Sequence, residues 1–380
     1  MMTMKKIYLK RLVKILSLVL VVAAIVGVSQ EYYMTNSSNT AIRLRGYYRE
    51  DPDTLDVVVL GASEVYSGFN APEFYKKTGV TSYPYAYEGN PVTLWTYELK
   101  EILHKQTPKL LIVEMNGAVY DEDMLYKEAS IRYLSDNMTL MREKRDLVSR
   151  YGSEDPLSYY FPIMKYHSEW LQPERLKNAV TMLRMDLRGH SVLKGNLSHI
   201  AHKKYGEEIT DYDHTAEREL NPDAEKYLRE FLDECKESGI EHILFVRFPH
   251  RIGGEKQVQA HQRFNRAARI VEEYGYEYVN LDENCPEAGI KKPDDFYDSD
   301  HMMMSGQMKF TDFLAEYLTG RYHLEPSQLS EKQKQEWDEC VKYTDAFYSY
   351  YEDRIKDPDA DEEDVIYERE ETLKALKEYL

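Results

Sequence analysis

The chain has 380 residues, with 49 Lys plus Arg against 67 Asp plus Glu and a formal net charge of −18. That length holds one large domain or two ordinary ones. The acidic balance argues against nucleic acid as a partner, because a phosphate-binding surface needs clustered cations. The 33 tyrosines suit a globular chain; rings in a sugar cleft would use them too, but burial of an amphipathic ring is the commoner use.

The N-terminus carries Lys5, Lys6, Lys10, Arg11 and Lys14, and the run Leu12–Ser29 is apolar apart from Lys14. Eighteen helical residues reach about 27 Å, close to a hydrocarbon core. Positive charge on the N-terminal side predicts a cytoplasmic tip and an exported remainder. Gly27 and Ser29 also suit a cleaved signal peptide, but the run is long for one and an uncleaved anchor is favoured. Residues 1–30 thus read as tip and anchor, and the polar residues 31–54 as a stalk. The expected location is the cell membrane, single-pass, with the main domain outside.

From Asp56 onward strands alternate with helices. The strands are 56–62, 109–116, 242–248 and 276–282; helical segments such as 223–238 and 261–274 stop at Gly239 and Gly275. Strands apolar across their whole width, separated by helices, predict a doubly wound parallel α/β sheet covered on both faces. Residues 120–215 break the rhythm with many aromatics and no buried-strand run, and read as an inserted lid or recognition element in a domain spanning 55–320. Residues 321–380 read as a charged helical tail, solvated, disordered or docked; the last thirty hold twelve acidic and five basic side chains. Cys235, Cys285 and Cys340 have no metal-ligand spacing and provide no disulfide framework.

Ligands of an open parallel sheet bind beyond the carboxyl ends of its strands. Ser63 follows the first strand in "VVVLGAS", and Asn116 follows "KLLIVEM". Asp298 and His301 form an Asp-x-x-His pair in "YDSDHMMM" before a late helix. On a turn, that spacing lets a carboxylate accept the imidazole Nδ1 proton and frees the other nitrogen to act as base. Ser63 could instead cap the helix after it. Asp295 or Asp300 could replace Asp298, and the oxygen-rich run could hold calcium, though its spacing is not that of an EF-hand. Arg247, at the end of a strand, could meet an anionic substrate group or form a surface ion pair. Tyr160, His167 and Trp170 in the insertion could line a substrate cleft or pack the insertion down. His250 and Arg251 read as solvated loop residues.

Gly-x-Ser after the first strand, a later loop glycine, an Asn after a middle strand and a late Asp-x-x-His together resemble the SGNH (GDSL-type) hydrolase superfamily over about residues 55–320. The insertion resembles that of a membrane-anchored Gram-positive branch whose style is the handling of acyl groups on cell-wall polymers. The resemblance implies a flavodoxin-like three-layer fold. It makes Ser63 the nucleophile, His301 the base and Asp298 its orienting residue. The oxyanion hole would comprise the Ser63 amide, the Gly89 amide and the Asn116 side chain. Two departures stand out: Ala62 replaces the usual Asp before the serine, and Met302-Met303 replaces Leu-Asn after the histidine.

The expected function is therefore an extracytoplasmic serine esterase or O-acyltransferase acting on acyl esters of a cell-surface polysaccharide or cell-wall polymer, with no cofactor and no metal. The two departures motivate an alternative, a non-catalytic binding module of the same fold that partners a membrane acyltransferase or a polymer-export system. A metal-dependent phosphodiesterase built on the acidic cluster is a third possibility.

Overall fold

The computed structural model describes residues 2–32, 38–152, 155–169, 171–200, 208–356 and 365–380. At its centre, Val57–Gly61 (β1), Ser82–Ala86 (β2), Leu110–Glu114 (β3), His242–Arg247 (β5) and Glu277–Asn280 (β6) form one sheet, all neighbours parallel. The spatial order is β2-β1-β3-β5-β6. Counting only these five strands along the chain, that is 2-1-3-4-5, a doubly wound order whose direction reverses between β1 and β3. Leu197–His199 (β4) and Val365–Tyr367 (β7) pair antiparallel in a separate small sheet.

The pleat divides the core. Val58, Leu60, Leu111, Val113 and Phe245 face one way with Trp95, Phe231 and Phe264; Val57, Val59, Leu110, Ile112, Leu244 and Val246 face the other with Phe74, Phe310 and Leu314. Helices therefore cover both faces, as nearly all-apolar strands require. The first layer uses Trp95–Lys105 (α5), Pro222–Glu237 (α12) and Glu255–Glu273 (α13). The second uses Ser63–Gly68 (α3), Ala71–Thr78 (α4) and Met304–Tyr322 (α15).

Two parts differ from the sequence reading, and in a third the structure takes one of its open alternatives. β2 was not expected, because "SYPYA" carries Pro84; the sheet tolerates it because β2 is an edge strand, where a missing donor costs no ladder bond. The stretch read as a stalk carries helix in most of its length, and its last residues 50–54 are turn and coil. Met2–Tyr32 forms α1, and Ser38–Arg49 (α2) buries Ala41, Leu44 and Tyr47. The tail is docked: Glu331–Arg354 (α16) packs on α4 and buries Trp337, Cys340, Phe347 and Tyr351, and β7 pairs with the insertion's β4.

The insertion holds short helices Glu122–Leu125 (α6), Glu128–Ser135 (α7), Met141–Tyr151 (α8), Leu157–Tyr160 (α9) and Pro162–Lys165 (α10), then Pro173–Arg188 (α11). Lys292–Asp295 (α14) and Glu370–Ala375 (α17) complete the helices. Within α1, Lys6–Tyr32 is long and apolar enough to cross a membrane, with mean hydropathy 2.6 and none of its apolar window buried. By length and composition it is an anchor or a signal sequence.

Candidate active site

β1 delivers Ser63 to the sheet's carboxyl edge beside the point where strand order reverses. Its three valines favour a buried strand, and Gly61 closes it where no side chain fits. A Cβ there would lie 2.6 Å from Val65 Cγ2 and 2.8 Å from Glu114 Cβ. Ser63 is the first residue of α3, and the cap position is Ala62. The Ser63 hydroxyl does not cap the helix; among the described residues it has only Glu64 Oε2 within hydrogen-bond reach, at 3.5 Å.

The Asp-x-x-His segment builds its own turn. Asp298 Oδ1 accepts the backbone N–H of Asp300 and of His301, both at 2.9 Å, the local habit of an Asx turn. A bridge between Phe296 and Met302 clamps the turn's base. Both carboxylate oxygens then face His301 Nδ1, at 2.7 and 2.8 Å. That fixes Nδ1 as the protonated nitrogen. His301 Nε2 has no hydrogen-bond partner among the described residues, and the side chain is 22% exposed. Burial alone would raise Asp298 and lower His301, but their mutual hydrogen bond and charge win. Asp298 is held well below the usual carboxylate range, and His301 is raised above the ordinary histidine value. Neither rival aspartate takes this role: Asp295 is occupied by Lys309 Nζ at 2.7 Å and Ser305 Oγ at 2.8 Å.

Further carboxylates surround this pair, and no motif marked Glu64 or Glu114. Glu64 and Glu114 are buried, and burial followed by their mutual charge pushes Glu64 well up. Burial pushes Glu114 up to about 8 against its hydrogen bond from Asn116 N and the nearby Arg247. Asp300 is likewise raised by burial. The charges of Glu64 and Asp300 both help to raise His301. His199 of β4 stacks on Tyr297 at 4.1 Å and lies 5.4 Å from the His301 ring, so the insertion reaches the Asp298–His301 turn. A carboxylate's burial is a tertiary property, and the sequence signal available was the place of Glu64 next to Ser63 and of Glu114 two residues before Asn116.

Asn116 sits just after β3, and its backbone N–H donates to both Glu114 oxygens at 3.1 Å. Its side-chain N–H donates to Glu64 Oε1 in a short bond, with Tyr120 Oη at 3.5 Å. Gly89 occupies the left-handed region at φ 62°, and its carbonyl accepts from Ser130 Oγ at 2.8 Å. The next residue pins this loop to the strand end: Asn90 Nδ2 donates to the Gly61 carbonyl at 3.0 Å and to Glu98 at 2.9 Å.

The proposed substrate residues lie differently. Arg247 is buried, forms a short hydrogen bond with His261 Nδ1 and sits 4.8 Å over the Phe264 ring. Among the described residues it makes no ion pair; its charge acts inside the site, on Glu114 and His250. Tyr160 is half-buried against the first core layer. His167 is exposed, with Nδ1 3.0 Å from the Met164 carbonyl. Trp170 lies outside the described residues. The solvated reading of His250 and Arg251 is corrected, since both are buried. His250 Nδ1 meets the Phe248 carbonyl at 2.5 Å, its Nε2 lies 4.0 Å from Glu64 Oε1, and burial with Arg247 pushes it down to about 3. The loop turns inward because Asp282 accepts the His250 N–H at 3.0 Å. A cavity of 400 Å³ lined by Tyr97, Asp146, Tyr151 and Glu230 includes none of the rim residues.

The protein is an α/β chain with a hydroxyl, a carboxylate-held imidazole and buried carboxylates on one edge of a parallel sheet. No protein-family model and no curated protein matches the chain.

Proposed function

We propose that the protein is a serine esterase or O-acyltransferase of SGNH type. One observation carries the reading: Asp298 holds His301 by both oxygens and leaves Nε2 open, while the Ser63 hydroxyl is not spent on capping its helix. Ser63 Oγ attacks an ester carbonyl as His301 takes its proton. The tetrahedral intermediate collapses, His301 returns the proton to the departing alcohol, and an acyl-Ser63 ester remains. Water or an acceptor hydroxyl then releases the acyl group by the reverse sequence. The Ser63 and Gly89 amides and the Asn116 side chain serve the oxyanion, and Asn116 must share its donor with Glu64. With α1 as an uncleaved anchor and the domain outside the cell, the substrate class is an acyl ester of a cell-surface polymer.

The full chain in detergent should hydrolyse p-nitrophenyl acetate and take a fluorophosphonate label that Ser63→Ala abolishes. Label and hydrolysis unchanged in Ser63→Ala would refute the assignment. One observation favours a second reading, a non-catalytic module partnering a membrane acyltransferase: the Asn116 amide is already engaged by Glu64. A folded chain inert to both reagents, yet retaining an acyl-polymer ligand, would establish that reading instead.

A further inference from the structure

α11 has two apolar faces. Met182 and Met185 point inward and pack with Ala41 and Ile42 of α2. On the opposite side Leu176, Val180, Leu183 and Leu187 are exposed, Leu176 at 63% and Leu187 at 79%. Spacings of four, three and four residues place these four within a stripe about 60° wide, at 100° per residue. Lys177 and Arg184 fall along one flank of it. Nearby, Phe161 and Met164 of the α9–α10 corner are also exposed.

The membrane helix candidate ends against α11, with Tyr32 on the Met182–Met185 side. α1 packs on both α10 and α11, Tyr32 Oη donates to Asp186 Oδ2 at 2.5 Å, and Glu31 pairs with Arg45 of α2 at 3.0 Å. Asp186, next to Leu187 on α11, also holds Arg49. The end of α1 is therefore fastened to α11 at Asp186, between its inward face and the exposed stripe. Tyr8 and Tyr32 bracket the apolar run, where rings commonly mark the two bilayer interfaces. If α1 spans a bilayer, its last turn, and α11 with it, stands at the lipid surface.

We propose that the exposed face of α11, with the α9–α10 corner, lies in the headgroup region of the bilayer that α1 crosses. A narrow apolar stripe suits the boundary between acyl chains and headgroups; Lys177 on its flank pairs with Glu371 at 2.8 Å. The inference rests on the anchor reading of α1 and is independent of the esterase reading. It turns the insertion into the element that fixes how the domain stands on the membrane.

The test uses the full chain in phosphatidylcholine–phosphatidylglycerol vesicles. Cysteines introduced singly as Leu176→Cys, Leu187→Cys, Leu18→Cys in α1 and Glu272→Cys beside the far edge strand β6 carry an environment-sensitive fluorophore. The three native cysteines are buried and do not compete. Brominated lipid should quench the labels at 18, 176 and 187, with blue-shifted emission, and leave 272 unaffected. Quenching at 18 with water-like, unquenched labels at 176 and 187 overturns the proposal while sparing the anchor. An unquenched label at 18 removes the anchor and the proposal with it. Blue-shifted but lipid-insensitive labels at 176 and 187 that cross-link between chains would show a second copy on this face, and also overturn it.

Discussion

Asp298 receives two backbone N–H groups and the His301 ring on one carboxylate, so its charge is stabilised where burial alone would resist it. The consequence for His301 has a sign. A general base works only when neutral, so hydrolysis should rise with pH through a His301 value raised above the ordinary one. Asp298→Asn removes the charge that raises it: the rising limb of the pH–rate profile should move to lower pH, and turnover should fall about 10⁴-fold as tautomer control is lost. A limb that stays in place would mean another group sets it. Stability follows the same linkage. Because the folded value of His301 is raised, its contribution is present below the unfolded histidine value and is lost as pH climbs through the folded one. The lowered Asp298 contributes above the unfolded aspartate value and loses that contribution as pH falls through its own. This pair was legible in sequence because an Asx turn and an i, i+3 contact are local. Glu64 and Glu114 were not, since only the assembled sheet buries them.

β1 and the loop after β2 meet through side chains chosen for fit. Gly61→Ala would force a methyl group into Val65 and Glu114, and overpacking of this kind typically costs about 1–3 kcal/mol. Thermal unfolding should show that loss together with weaker fluorophosphonate labelling, because the same clash displaces the start of α3. The loop is held by Asn90 on Glu98, whose other oxygen accepts from Tyr87 Oη in a short bond. Burial pushes Glu98 up to about 8. The folded state therefore keeps a proton that the unfolded chain releases from near pH 4.5 upward, so wild-type stability declines from there to about pH 8. Glu98→Gln imitates the neutral acid, with an amide donor for Tyr87 Oη and a carbonyl for Asn90. It should be near-neutral at pH 5 and raise the melting temperature at pH 8, by the equivalent of up to a few kcal/mol. A melting-temperature difference that does not change with pH would place Glu98 in its ionised form. At this scale the sequence exposed four of five core strands by their apolar width, and hid β2 because an edge strand need not avoid proline.

Across the whole molecule, the C-terminal segment, whose reading left solvated, disordered and docked forms open, is docked and closes the fold. α16 lays Trp337 on Tyr75 of α4, with ring centroids 4.8 Å apart, and under the ammonium of buried Lys194, 4.4 Å from the ring. Lys194 in turn pairs with buried Glu50 at 2.8 Å, so one indole covers an ion pair joining α2's end to the insertion. High charge hid this: α16 shows polar residues on most of its circumference and a narrow apolar seam, and a seam's partner cannot be read from its own sequence. Trp337→Ala would leave a cavity and wet a buried charge pair; the first effect alone typically costs about 3–5 kcal/mol. Urea unfolding followed by circular dichroism should show a midpoint shift of that size, whereas exposed Lys334→Ala should stay within about 0.5 kcal/mol. Because Trp337 bridges the sheet layer and the insertion, the variant should also loosen β4, and with it His199 beside the His301 turn. Esterase turnover should then fall in Trp337→Ala below its denaturation temperature while Lys334→Ala keeps full rate, and equal rates in the two variants would mean that the C-terminal helix stabilises the fold without supporting the site.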